Sequence, residues 1–574
     1  MLTPWGETLD RRAPLPEYPR PQLVRDSYVN LNGLWDYAIT ASDTPPGAWD
    51  GQIVVPFSPE APLSGVGRQL RPGQVLWYRR ALPLTRAQGR RVLLHFGAVD
   101  QRAWVYVNGL LAGTHTGGYT AFTLDITNLL REDNTLLVAV RDDTDASPLS
   151  RGKQKTKRGG IWYTPQSGIW QTVWAEYVPE NFVQSVLFTP ELPVGRVSWR
   201  LRAPQPQGAK ISIFHAGAPV CEGTCDEDGC GSAVLPPPLH LWSPDTPELY
   251  DVTITLGEDT VTSYFALRTI SRGLDAQGRA CLLLNGEPLF QHGVLDQGYW
   301  PDGLYTAPSD EALVYDIRLM KQLGFNLLRK HIKIEPMRWY YHCDRLGMLV
   351  WQDMPSGGGA YHALTITAPL FTHLHLPDSW YCAFARTDAE GRESYRRELT
   401  ELIEQLQNCP CIVLWVPFNE GWGQFDAKDI ARLVRRLDPT RLIDHASGWH
   451  DQRVSDVKSR HVYFMPYRFR PDRTGRAVVL SEFGGYHLSI KDHTWADKCF
   501  GYRGYRTPQA LMQAVDRLYR TEIVPARQKG LAAAVYTQLS DVEDERNGFV
   551  TYDRRVVKVP TEPMQAIARD LYKI

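Results

Sequence analysis

Two glutamates stand at the ends of apolar runs. In "CIVLWVPFNEGW" (411–422), Ile412 to Val416 lead through Pro417 and Phe418 to Asn419 and Glu420. In "AVVLSEFGGY" (477–486), a second apolar run delivers Glu482. Either carboxylate alone reads equally well as a salt-bridged rim residue. Held about 5–5.5 Å apart, the two could cleave a glycosidic bond with retention, one attacking the anomeric carbon and the other protonating the leaving oxygen.

Such a pair needs elements that converge on one rim. After residue 272 short apolar strands alternate with amphipathic helices. The strands read are "PLFQHGV", "FNLLRKH", "GMLVWQDM", "CIVLWVPF", "RLIDHAS", "HVYFMP", "AVVLSEF" and "LAAAVYTQ". The helices include "SDEALVYDIRLMKQLG", with Ser309 as N-cap and Gly324 as its stop. Eight strands in about 300 residues predict a (β/α)8 TIM barrel, whose active sites lie at the strand C-termini. Strands four and seven then face each other across the mouth. The polar residues just past each strand join the candidate site: Asp296 from strand one, Lys330 and His331 from strand two, Asp353 from strand three, Tyr463 from strand six, and Tyr536, Gln538 and Asp541 from strand eight. The long connection after strand seven, "GGYHLSIKDHTWADKCFGYRGY", reads as a functional loop.

The barrel fills only half of the 574 residues. Residues 1–180 are short β-runs divided by turn residues, as in "WVYVNGLLAG", where Asn-Gly marks a hairpin. They predict a β jelly roll. Residues 181–272 continue in β and fit a small Ig-like β-sandwich. A net charge of −1 supplies no global field for nucleic acid or a membrane surface. Without an apolar leader or a long apolar run the sequence reads as cytoplasmic. The 18 Trp and 27 Tyr supply stacking surfaces of the kind sugar clefts use. Cys221, Cys225 and Cys230 in "CEGTCDEDGC" lack CxxC spacing and a fourth ligand, so they read as reduced thiols. No nucleotide fingerprint is present, and the expectation is no cofactor and no metal.

The sequence resembles glycoside hydrolase family 2 over nearly its whole length. "VNLNGLWDYAI", "VLWYRRALPL", "AWVYVNGLLAGTHTGGYTAFTLDIT" and "SGIWQTVW" look like the family's N-terminal domain. "GFNLLRKHIKIEPMRWYYHCDRLGMLVWQDMP" looks like its early barrel, "VPFNEGW" matches its acid/base motif and "LSEFGG" its nucleophile motif. The resemblance implies a jelly-roll sugar-binding-type domain (1–180), an Ig-like domain (181–272) and a catalytic barrel (273–574). It makes Glu420 the general acid/base and Glu482 the nucleophile. Asn419 would bond the sugar 2-OH, and His331 would contact the sugar. Tyr463 would hold the nucleophile, with Tyr467 competing for that role. Tyr536 would stand where many relatives carry a strand-eight Trp.

The expected activity is that of a retaining exo-β-glycosidase on a small glycoside or oligosaccharide, β-galactosidase-like first. No interface is legible, and a homo-oligomer of the kind relatives form stays open. Three departures bear on the sugar. The sequence ends on "MQAIARDLYKI", read as the last barrel helix, without the two further β domains of large bacterial β-galactosidases. Trp162 falls where those enzymes carry an acidic residue near the sugar and a sodium ion. The Asn-x-Lys pair of β-glucuronidases is missing, since Phe549 follows Asn547 at the Lys position. The alternative is a β-uronidase that uses other cations: the basic loop "RGKQKTKR" (151–158), Lys330 and Lys333, or Arg468 and Arg470. A catalytically silent sugar-binding protein is the alternative from another class.

Overall fold

The computed structural model describes every residue except 373 and 574. Two antiparallel sheets form the first sandwich. One has four strands (Tyr28–Asn30, Val173–Pro179, Arg90–Phe96, Phe122–Asp125) and the other six, from Gly51–Val55 to Leu110–Thr116. In Arg102–Val107 burial alternates residue by residue, so Ala103, Val105 and Val107 enter the core with Trp35, Tyr78 and Leu136. The turn that follows sets Asn108 and Gly109 both at positive φ (53° and 79°), the primed hairpin the Asn-Gly step predicts.

The second sandwich packs a three-stranded sheet on a four-stranded one around Trp199, Phe188, Ile211 and Tyr250. Two of its strands, Ala218–Thr224 and Cys230–Val234, carry the ends of the cysteine-bearing stretch. Cys225 is buried within the sandwich core, and all nine cysteines are unpaired.

The barrel is one eight-stranded parallel sheet: β1 (Gln291–Asp296), β2 (Leu327–Lys330), β3 (Leu349–Asp353), β4 (Ile412–Val416), β5 (Leu442–Ile443), β6 (Val457–Val462), β7 (Ala477–Gly484) and β8 (Leu531–Thr537). Their order around the sheet is β5-β4-β3-β2-β1-β8-β7-β6. Helices α1 (Asp310–Gln322), α2 (Met337–Leu346), α3 (Ala389–Leu406), α4 (Ala427–Leu437), α5 (Pro508–Leu518) and α6 (Thr561–Tyr572) cover it. Ser309 caps α1 by accepting from the Ala312 N–H. The connections after β5 and β6 carry no helix, so the β/α alternation lapses there. Strand six also begins earlier than its apolar stretch suggests. Val457, Ser459 and His461 are buried while Lys458 and Arg460 are less so, and four consecutive polar residues, 458–461, conceal a strand from a search for apolar runs. No described helix is long and apolar enough to cross a membrane.

The three parts share contacts. Tyr119, Tyr163 and Trp170 of the first sandwich belong to the barrel's own hydrophobic cluster. Arg268, just past the second sandwich, donates to the carbonyls of Pro410 and Ile412 at the base of β4. Arg25 ties the two sandwiches together: Nε and Nη2 reach the two oxygens of Asp259, and Nη1 reaches Glu176, all at 2.9 Å. Its side chain is 4% exposed. Arg25→Ala would leave two carboxylates buried without this partner, an expected loss of about 3–5 kcal/mol. Chemical denaturation of the full chain measures it, and a variant as stable as wild type would show the network to be dispensable.

Candidate active site

Strand β4 is buried along its whole length. Beyond it the chain runs through Pro417 and Phe418 and pairs with the segment after β5, where the Glu420 N–H donates to the Ser447 carbonyl at 2.9 Å. Glu420 itself is left-handed, with φ +50°. A non-glycine residue in that region costs energy and persists only where its neighbours hold it. Here Trp449 Nε1 donates to the Glu420 carbonyl at 2.9 Å, completing the hold. The turn aims the carboxylate into the mouth, where 13% of it stays accessible.

Glu482 comes from β7, opposite. One of its oxygens lies within 4.8 Å of a Glu420 oxygen. That suits the short separation of retaining glycosidases, about 5–5.5 Å, rather than the roughly 6.5–9.5 Å that leaves room for a water in inverting ones.

Arg329, fully buried on β2, orients the floor. Nη1 donates to Glu482 Oε1 at 3.0 Å, Nη2 to Asn419 Oδ1 at 2.8 Å and to Asp353 Oδ2 at 3.0 Å, and Nε to Asp353 Oδ1 at 3.0 Å. Because the Asn419 oxygen faces Arg329, its Nδ2 is left buried without a partner. That donor is available to a sugar hydroxyl. His331 Nδ1 pairs with Asp353 Oδ2 at 2.7 Å. The Tyr463 hydroxyl donates to Glu482 Oε2, and its ring stacks on Tyr502 at 3.8 Å. Tyr502 belongs to the long connection after β7. Tyr467 holds no carboxylate of the pair; its backbone N–H bonds Glu522.

The two glutamates have opposite electrostatics. Burial alone would raise the pKa of Glu482, but the charges of His461, Arg329 and His331 and the Tyr463 hydrogen bond lower it to about 2. Burial raises that of Glu420. The His461 hydrogen bond opposes the rise and the Glu482 charge adds to it. Close carboxylates pushed apart in this way make one an anion and the other an acid.

The structure thus brings Asn419, Glu420, Glu482, His331, Asp353 and Tyr463 together. It does not bring Asp296, Lys330 or Tyr536 with them. Side chains alternate along a strand, so Arg329 facing inward turns Lys330 outward, towards α2. There Lys330 lies over the Trp339 ring and bonds Asp296 at 2.6 Å and Glu335 at 2.8 Å. Lys333 is likewise committed to Glu335 and two carbonyls. Tyr536 stacks on Phe549 in the core, and its neighbour Thr537 is the one that meets the Tyr463 hydroxyl, at 3.1 Å.

His461 was overlooked by sequence reasoning. Its Nδ1 meets Glu420 Oε1 at 2.8 Å, while its Nε2 meets Ser447 Oγ at 3.0 Å and lies 3.6 Å from Glu482. Its place at the end of β6, two residues before Tyr463, was the available signal. Among the described residues only two clusters group three metal-ligating side chains: Glu420, His461 and Glu482, and His215, His240 and Glu248 on the second sandwich. In the latter the two imidazoles are stacked 3.8 Å apart and His215 bonds Glu248.

Three family descriptions match in chain order. "Glycosyl hydrolase 2 galactose-binding domain-like" covers residues 70–173, "Glycosyl hydrolases family 2" covers 206–268 and "Glycosyl hydrolases family 2, TIM barrel domain" covers 278–476. The chain belongs to glycoside hydrolase family 2. This family 2 chain is 27% identical over 399 residues to a β-galactosidase of Thermoanaerobacter pseudethanolicus, a match to 64% of this chain and 48% of that one. It is 25% identical over 474 residues to a β-galactosidase of Psychromonas ingrahamii, covering 77% and 42%. The matches therefore span about half the length of these relatives, or less. Its fold is similar to that of a Ruminococcus gnavus β-glucuronidase, with a TM-score of 0.76, 16% identity and coverage of 98% and 99%. A Faecalibacterium prausnitzii β-glucuronidase superposes with a TM-score of 0.72 at 22% identity, covering 97% and 99%.

If Lys330 is structural, Lys330→Ala leaves Asp296 buried without its ammonium partner and Glu335 with Lys333 alone. The expected loss is about 3–5 kcal/mol. A thermal melt with an unshifted midpoint, together with impaired substrate binding, would return Lys330 to the site.

Proposed function

We propose that this family 2 chain is a retaining exo-β-glycosidase that removes a terminal β-linked sugar by double displacement. The observation that carries the reading is the close approach of Glu420 and Glu482, with burial raising the pKa of Glu420 and charged neighbours lowering that of Glu482. Ionised Glu482 attacks the anomeric carbon while Glu420 gives its proton to the leaving oxygen. Glu420, now a carboxylate, takes a proton from water, and the resulting hydroxide attacks the glycosyl ester and frees Glu482. Asn419 Nδ2 supplies a donor for the sugar 2-OH. Arg329 and Tyr463 keep the nucleophile ionised and aimed. Residues 273–574 carry this chemistry, with 181–272 as a connecting sandwich. The jelly roll (1–180) closes one side of the pocket: Trp162 packs on Trp422 at 5.1 Å and near Tyr361 at 5.9 Å. A wall of that kind favours a chain end over a chain middle. A neutral β-galactoside and a β-uronide make the same demands on the two carboxylates, so the pair itself does not choose between them.

Aryl β-glycosides test the reading. Glu482→Gln should abolish turnover. Glu420→Ala should cost about 10²–10⁴-fold on poor leaving groups and much less on activated ones. The first product seen by NMR should be the β-anomer; an α-anomer formed first would mean inversion and end the proposal. The activity kcat/KM requires Glu482 ionised and Glu420 protonated. It should therefore fall on the acid side only as pH approaches the depressed Glu482 value, about 2. It should fall on the alkaline side through a pKa above the ordinary glutamate range. Because His461 lowers the Glu420 pKa, His461→Gln should move the alkaline limb to higher pH. A limb that stays put would remove His461 from that role.

A further inference from the structure

The basic loop of residues 151–158 reaches the barrel, and one of its cations is left unspent there. The loop is clamped to the connection after β3. The Arg151 and Gly152 N–H groups donate to the Ser356 carbonyl at 2.8 and 3.0 Å, and the Arg151 guanidinium donates to the carbonyls of Gly358 and Gly359. Gly152 has φ +60°, and a Cβ there would stand 2.8 Å from the Ile332 carbonyl. The next residue, Lys153, has a side chain only 7% exposed. Its ammonium makes no hydrogen bond among the described residues. The nearest anion is Glu545 Oε2, from the connection after β8, at 4.0 Å. Its other neighbours are the rings of Tyr163 (5.3 Å) and Trp422 (5.9 Å). Trp422 in turn packs edge-on to His331 at 6.2 Å, which links the ammonium to the candidate site through one ring, and its charge acts on His331, Asp353 and Glu420.

Apart from Lys155, which lies over the Trp162 ring at 4.4 Å, the other cations of this region are spent. Arg329 binds the floor, Lys330 and Lys333 share Glu335, Lys558 bonds Asp541 and the Arg546 carbonyl, and Arg158 pairs with Asp544 at 3.0 Å. A largely buried ammonium whose nearest anion stands 4.0 Å away keeps hydrogen-bonding capacity for an arriving anion. The Trp422 indole N–H, on a ring that Lys153 touches, is also buried and unpartnered. Both groups are donors without acceptors. A carboxylate, which only accepts, satisfies them; a hydroxyl brings a donor of its own.

We propose that Lys153, supplied by the jelly-roll domain, is a specificity-determining residue that binds the carboxylate of a terminal uronic acid. The inference rests on the retaining-glycosidase reading and selects the β-uronide over the neutral β-galactoside.

The test compares 4-nitrophenyl β-glucuronide with the β-glucoside, and β-galacturonide with the β-galactoside, using Glu482→Gln as background. In the wild type kcat/KM should favour one acid sugar over its neutral partner. Lys153→Met should cut that acid-to-neutral ratio by roughly 10- to 100-fold, the factor of a hydrogen bond to a charged group. Lys153→Arg, which keeps the charge, should retain most of the ratio. An arm that needs no turnover titrates Glu482→Gln with glucuronic and galacturonic acids against glucose and galactose. One acid should bind better than its neutral partner, and adding Lys153→Met should remove the difference. Neutral sugars cleaved while both uronides stay inert would overturn the role of Lys153 and leave the glycosidase reading intact. A ratio unmoved by Lys153→Met would do the same. No hydrolysis at all, with uronic acid still bound through Lys153, would sink the glycosidase reading and keep the binding site. Neither hydrolysis nor binding would end both.

Discussion

The candidate site is organised around one buried guanidinium. Arg329 stands inside the barrel with no accessible surface and reaches three strands besides its own: Asp353 at the end of β3, Asn419 beyond β4, and Ser481 and Glu482 on β7. A buried cation of this kind is tolerable only with its counter-charges in place. The same bonds fix the Asn419 amide with its oxygen on Arg329, which leaves the amide nitrogen for a ligand. They also place His331, because Asp353 is shared between Arg329 and the imidazole.

Around that centre, bulges and a turn aim the two acids. The β6–β7 pairing slips between Arg460 and His461, which sets His461 against Glu482. Glu420 is turned inward by a left-handed residue locked to Ser447 and Trp449 from the connection after β5. The absence of helices after β5 and β6 leaves room for these irregular segments. Strain of this type is held by several contacts at once, and here both holding residues also contact His461, whose hydrogen bond lowers the Glu420 pKa.

The first sandwich packs directly on the barrel rim, Trp162 against Trp422 and Tyr361. Its aromatic residues merge with the barrel core, and the Arg151–Gly152 clamp leaves no space for a side chain at the crossing. An exposed loop would leave the Lys153 side chain in water; this one buries most of it, with the ammonium near the rings of Tyr163 and Trp422.

The sequence by itself determined the three-part β, β, β/α organisation, because strand and helix periods are local properties of the chain. It also marked Glu420, Glu482 and Asn419 as rim candidates, since an apolar run ending in a polar residue marks a strand's C-terminal rim wherever that strand sits. Tyr463 was legible on the same ground, but its rivalry with Tyr467 was not, because the apolar run hid where β6 begins. What only the tertiary structure decided was direction and partnership. Lys330 and Tyr536 have the right residue types one position away from the inward face, and a one-residue offset sends a strand side chain to the opposite side. Lys153 carried no local sign distinguishing it from exposed Lys157 or from Arg158, which is paired with Asp544. It became the unspent cation because a loop about 180 residues upstream of β2 is clamped against the barrel rim, an outcome fixed by packing between domains rather than by any pattern within the loop.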